Sequence, residues 1–148
     1  MSSYKIELMN SSYVEGVFEV SKLSLKETWN KESIEKELSN KLAKYLVALD
    51  GDNVVGFVGM WIVFDEGDIT NIAVHPNYRK QGIGNLLMNN LISLCKENKI
   101  NSLTLEVRES NIKAQNLYKK HEFKEEGLRK NFYDNPKENA IIMWRHNI

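Results

Sequence analysis

The chain has 148 residues, and its 20 Lys and Arg balance 20 Asp and Glu to give zero formal charge at neutral pH. With 42% hydrophobic and 27% charged residues it has the make-up of an ordinary soluble protein, and no overall field draws it to nucleic acid or an anionic membrane. No apolar run reaches the roughly 18 residues of a membrane span, and the first residues lack the apolar stretch of a signal peptide.

The length suits one domain, 1–148, with a single sizeable core. Its lone cysteine, Cys95, excludes an intrachain disulfide and points to a reducing cytoplasm. In chain order, Tyr4, Ile6 and Leu8 alternate with Lys5, Glu7 and Met9, as in a half-buried strand. Ser11 or Ser12 can cap a helix bearing Val14, Val17, Phe18 and Leu25, and Asn30 a second, short helix with Ile34 and Leu38 four apart. "YLVALDGDNVVGFVGMWIVF" reads as two strands joined at Asp50-Gly51-Asp52-Asn53, a hairpin signal. Asp68 to Val74 is a further strand, stopped by Pro76. From Ile83 a helical spacing of Leu86, Leu87, Leu91, Leu94 and Cys95 runs to about Asn98. Leu103, Leu105 and Val107 mark another strand, "NIKAQNLYKK" a short helix, and Phe123–Tyr133 and Ala140–Trp144 the last two strands around "DNPKEN". The order βααβββαβαββ is that of a mixed α/β domain.

The stretch "NIAVHPNYRKQGIGNLL" sets Arg79, Lys80 and two glycines, Gly82 and Gly84, at the start of the longest helix. A helix start offers unpaired N–H groups and the positive end of the dipole, and glycines let an anion approach them. The spacing matches neither the Walker pattern nor the dinucleotide fingerprint. Taken alone, the same glycines serve equally well to relieve crowding in a tight strand-to-helix turn.

The pattern Arg79-x-x-Gly82-x-Gly84, between "IAV" and an amphipathic helix, resembles the acyl-CoA pyrophosphate loop of the GCN5-related N-acetyltransferases (GNAT), and the element order over the whole chain is similar to theirs. Within that superfamily, "NIAVHPNYRKQGIG", "LEVRESN", "AQNLYKK" and "LRKNFY" resemble the RimI branch, which acetylates the N-terminal alanine of a small-subunit ribosomal protein. The resemblance implies a mostly antiparallel twisted sheet with about four helices, acetyl-CoA as co-substrate, a protein N-terminus as acceptor, and direct transfer in a ternary complex. It implies acetyl-CoA contacts from Ile72, Ala73, Val74, Arg79, Lys80, Gln81, Gly82, Ile83, Gly84, Asn85, Asn111 and Tyr118. Trp29, Phe132 and Tyr133 match aromatic positions of the peptide groove. The alternatives are another amine, such as a lysine, a polyamine or another small metabolite, and a non-catalytic acyl-CoA-binding module.

Acetyl transfer to an amine requires that an ammonium, with a pKa near 7.7–8.0 for a protein N-terminus, lose a proton, and that a thiolate leave. By spacing alone Glu106 points either into a cleft or into solvent, the latter being commoner for Glu, and Tyr118 is a core tyrosine or a phenol in reach of a site. The resemblance implies Glu106 as general base through water and Tyr118 as the acid for the thiolate. Asn111 can cap the following helix as well as contact CoA. His75, His121 and His146 lack metal-ligand spacing, so no metal is expected. Lys119, Lys120 and Lys124 alternate with Glu122, Glu125 and Glu126 as a solvated mixed face, and neither nucleic acid nor membrane is an expected partner. A monomer or weak dimer is expected. Two positions depart from the family pattern: Glu122 stands where relatives have Gly before Phe123, and Asn139 where an acid is common before Ala140.

Overall fold

Asparagines punctuate the first half of the fold. A computed structural model describes residues 3–25 and 30–148. Strand β1 (Lys5–Leu8) leads to a 3₁₀ turn, Ser11–Tyr13, in which Asn10 Oδ1 accepts from the Ser12 amide, and then to α1 (Val14–Ser24). Neither Ser11 nor Ser12 caps the α-helix: both lie in the 3₁₀ turn that Asn10 caps, and α1 starts at Val14 behind Tyr13 with no side-chain cap bond. Leu8, at the end of an edge strand, is 58% exposed instead of joining the buried face with Ile6. Helix α2 (Lys31–Leu38) begins at Asn30 as expected, with Oδ1 accepting from the Ser33 amide at 2.8 Å.

Strands β2 (Ala43–Asp50) and β3 (Asn53–Val63) form a hairpin whose Gly51 takes φ +62°, a conformation that favours glycine. Then come β4 (Glu66–Val74), α3 (Ile83–Glu97), β5 (Ser102–Arg108), α4 (Ile112–Lys120), β6 (Lys124–Tyr133) and β7 (Glu138–Arg145). The strands form one sheet in the order β1-β2-β3-β4-β5-β7-β6, antiparallel except for β4 against β5.

The apolar alternation decides which side chains face which helices. Leu46, Val58, Met60, Leu103, Leu105 and Met143 join Leu87 and Leu91 of α3 in one buried cluster. On the opposite face Val47 and Phe57 join Val17 and Val20 of α1 and Ile34 of α2. Burying a side chain of this size is worth roughly 1.5–3 kcal/mol, so a one-residue slip of any central strand is strongly opposed. Burial pushes the Cys95 thiol up to about 11, leaving it as core filling on the inner face of α3.

The opening in the sheet comes from its one parallel pairing. Strands β4 and β5 pair only from Glu66–Ser102 to Asp68–Thr104. Just beyond, Met60 faces Ile69 and Gly59 faces Asn71, so Thr70 is an extra residue that bulges β4. A bulge bends its strand and ends regular pairing. From there β4 and β5 run as separate walls with α4 beside the gap between them.

Candidate active site

Two cavities open at this gap. The first, about 520 Å³, is lined by Ile72, Ala73 and Val74 of β4, Tyr78, Arg79 and Lys80 of the turn, Gly82 to Asn85 of α3, and Asn111, Lys113, Ala114, Asn116, Leu117, Tyr118 and Lys120 around α4. The second, about 620 Å³, has Ile69 to Ile72 on one wall and Leu105 to Arg108 on the other, with Ser24, Leu25, Ser110 and Tyr133 at its sides. Ile72, Asn111, Ala114 and Tyr118 line both.

In the first cavity the start of α3 is built for an anion. Gly82 is the N-cap, at φ +81°, with no side-chain cap on the first-turn amides and no acidic residue in that turn. A Cβ added at Gly82 would meet nothing within 4 Å, so the glycine serves the backbone angle and an open approach rather than packing. Gly84 differs: its Cβ would touch Leu117 at 3.4 Å, where α3 and α4 meet. Free N–H groups, the dipole and Arg79, Lys80, Lys113 and Lys120 around one cavity suit a polyphosphate. Asn85 is oriented by His121, whose Nε2–H donates to Asn85 Oδ1 at 3.0 Å. Burial, then the Arg145 charge, hold that imidazole below its ordinary value and so neutral. Asn111 Oδ1 accepts from the Ala114 amide at 3.1 Å, so it caps α4 while lining both cavities.

In the second cavity Glu106 projects from the β5 face opposite Leu105 and Val107, with its side chain 26% exposed and Oε2 2.9 Å from Arg129 Nε. Tyr118 is buried at the junction, its ring 5.9 Å from that of Phe123. Burial pushes its phenol above the usual range, and among the described residues none hydrogen-bonds to the hydroxyl. Arg108 closes the far side by stacking over the Tyr133 ring at 4.4 Å.

Of the residues singled out in the sequence, Gln81 does not line the first cavity: its Oε1 accepts from the Tyr4 hydroxyl, on the N-terminal strand side of the turn. Tyr133 lines the second cavity, whereas Phe132 is 46% exposed outside it, edge-on to Tyr133 at 5.0 Å. Trp29 lies outside the described residues. Lys120 is not part of a purely solvated face; with Lys113 and Asn116 it lines the first cavity. The spacing of these three, three and four residues apart on a helix, is the signal that would have found them. Glu122 adopts φ +69°, an angle that favours glycine, and Asn139 Oδ1 accepts from the Asn131 amide at 2.9 Å. No helix is long and apolar enough to cross a membrane, and no cluster of three metal-ligating side chains occurs, among the described residues.

The model of the acetyltransferase (GNAT) family matches residues 12–123. A Bacillus subtilis protein that bears the provisional name of ribosomal protein bS18-alanine N-acetyltransferase is 43% identical over 132 residues, covering 88% of this chain and 87% of that protein. The ribosomal protein bS18-alanine N-acetyltransferase of Haemophilus influenzae is 42% identical over 101 residues, 66% of this chain and 68% of that one. The crystal structure of the Escherichia coli ribosomal-protein-S18-alanine N-acetyltransferase superposes with a TM-score of 0.91 at 26% identity, covering 98% of this chain and 94% of that chain.

Proposed function

The chain belongs to the GNAT acetyltransferase family, and on that premise we propose that it acetylates the N-terminal amine of an alanine on a small-subunit ribosomal protein, as its relatives' names describe for bS18. The observation that carries this reading is the junction of the two cavities: an anion-binding helix start on one side, a carboxylate on the other, and Tyr118 shared between them. A co-substrate bound by its phosphates in the first cavity and an amine in the second would meet at that phenol.

GNAT enzymes use acetyl-CoA, which supplies the activated thioester. The amides of the α3 start, Arg79 and Lys80 bind its pyrophosphate, and Ile72 to Val74 border the pantetheine arm along the β4 edge that β5 has left. Lys113 and Lys120 add charge along the same cavity. Glu106 accepts a proton from the incoming ammonium through water, because only the free amine can attack the acetyl carbon. As the C–N bond forms and the C–S bond breaks, the Tyr118 hydroxyl donates its proton to the departing sulfur. Burial suits Tyr118 to this step, since it keeps the phenol protonated at cellular pH. Tyr133 and the Arg108 stacked on it form a wall for the acceptor chain.

The test supplies acetyl-CoA with peptides of different N-terminal residues and, separately, with polyamines, and follows CoA release and the mass of the products. Acetylation at the α-amine of alanine peptides is the expected result. Release only with polyamines or lysine side chains assigns a different acceptor, and CoA binding without release on any amine assigns a binding module.

A further inference from the structure

The one cation paired with Glu106 among the described residues comes from two strands away. Arg129 lies on β6, Glu106 on β5, and β7 runs between them. In register, Arg129 faces Ala140, which faces Arg108, while Gly127 faces Ile142, which faces Glu106. Arg129 and Glu106 therefore share a sheet face, and the guanidinium crosses β7 on the diagonal to reach Oε2 at 2.9 Å.

The path of β6 serves this reach. Its register with β7 breaks on both sides of Arg129, between Glu125 and Gly127 and again between Arg129 and Tyr133. The second break contains Asn131 at φ +55°, its amide held by Asn139 Oδ1 at 2.9 Å. Bulges re-aim side chains, and two of them flank the residue that leaves its edge strand to meet the carboxylate. The Phe132 ring, 5.8 Å from the guanidinium, supports it from the bulge.

The other groups facing Glu106 do not hold it. Arg108 is engaged by Glu138 and by the Pro136 and Asp134 carbonyls, and Tyr133 and Tyr118 line the cavity without a bond to the carboxylate. Asp68, on β4, repels it: the Asp68 carboxyl is raised by burial and then by the Glu106 charge, with Arg129 opposing. The Arg129 guanidinium thus pairs with Glu106 on the side where the nearby Asp68 carboxylate opposes it.

We propose that Arg129 is the positioning residue for the acceptor-side base: it fixes the Glu106 carboxylate through Oε2 and leaves Oε1 directed to the water or amine. This rests on Glu106 being the base. Misplacing a reacting group by about 1 Å can cost on the order of 10²-fold in rate, whereas a half-exposed ion pair contributes little to folding. The experiment is a double-mutant cycle on kcat with Arg129→Met, Glu106→Gln and the double variant, with Arg129→Lys alongside. Arg129→Met should lower kcat by about 10-fold to 10²-fold with the acetyl-CoA Kd and the melting temperature unchanged, and Arg129→Lys should recover part of the loss. In the Glu106→Gln background Arg129→Met should cost nothing further. An equal loss in both backgrounds, or an unchanged kcat in Arg129→Met while Glu106→Gln is impaired, overturns the positioning role and leaves the base in place. Wild-type turnover in Glu106→Gln overturns the base assignment itself, and the positioning role with it.

Discussion

Arg108 Nη1 lies 3.2 Å from Glu138 Oε1, and both side chains are almost withdrawn from water, at 13% and 14% exposure. The same guanidinium donates to the carbonyls of Pro136 at 3.0 Å and Asp134 at 3.1 Å, and the second carboxylate oxygen of Glu138 accepts from the Ser110 amide at 2.6 Å. One ion pair thus ties the end of β5 to the turn between β6 and β7, beside the Tyr133 wall of the second cavity. The bond from Ser110, ahead of the Arg108 contribution, holds the Glu138 carboxyl below the usual carboxylate range. A depressed carboxyl adds stability that is present above the unfolded-state value, about 4.3, and is lost as pH falls through the folded value. Glu138→Gln should therefore melt lower than wild type near neutral pH and lose less on acidification. Melting temperatures from about pH 7 down to about pH 3 check this, and parallel curves for the two proteins would remove the linkage.

At the start of α3, Gly82→Val tests the anion site. The left-handed angle of +81° costs a non-glycine residue about 1–2 kcal/mol, more for a β-branched one, while a Cβ there would meet nothing within 4 Å. The fold should survive with a lower melting temperature, and, on the proposed placing of the pyrophosphate at these amides, CoA affinity should drop sharply. Calorimetry on the folded variant decides it, and an unchanged CoA affinity would move the pyrophosphate elsewhere.

The residue before Phe123 offers the opposite change. Glu122 holds φ +69° at the end of α4, and its one ion pair among the described residues, to Arg145 at 3.4 Å, is 78% exposed on the Glu122 side. Relief of the left-handed strain by Glu122→Gly outweighs an exposed pair of this kind, even after glycine's extra freedom in the unfolded chain. The variant should be more stable by roughly 0.5–1 kcal/mol, read by chemical denaturation at fixed pH. A loss of stability would mean that the Arg145 contact carries more than its exposure suggests.

What the sequence made legible divides by distance along the chain. Helix starts at Asn30 and Asn111, the Gly51 hairpin and the Gly82 helix entry are local chemistry, and each falls where the residue types place it. Glu106 opposite Leu105 and Val107, and Tyr118 on the inner face of α4, also follow from period alone. The opening of the sheet does not, because it depends on β4 and β5 pairing at only three positions and on a bulge at Thr70 that no residue type announces. Nor does the pairing of Glu106 with Arg129, which requires the β5-β7-β6 order and the two register breaks in β6. Ser11 and Ser12 do not cap α1 for a smaller reason: they form a 3₁₀ turn, capped by Asn10, and the α-helix starts only at Val14.

The last test separates the acid from the base. Tyr118→Phe removes one hydroxyl that no described residue hydrogen-bonds, and it keeps the ring against Phe123, so the melting temperature should move little. If the phenol donates to the departing sulfur, the loss falls on the chemical step. The kcat should drop by about 10²-fold while the peptide KM changes little, the pattern of an interaction made mainly in the transition state. Burial raises this phenol, so wild-type Tyr118 remains protonated throughout the pH range of an ordinary assay. Raising the pH should therefore not restore the Phe variant, whose deficit is an acid. Glu106→Gln should respond differently, because a higher pH deprotonates the amine near its own pKa of about 7.7–8.0 and replaces part of what the carboxylate did. The two pH–rate profiles, measured side by side with saturating acetyl-CoA, give the separation. An unchanged kcat in Tyr118→Phe, or rescue of both variants to the same degree, would return Tyr118 to a packing role at the junction of the two cavities.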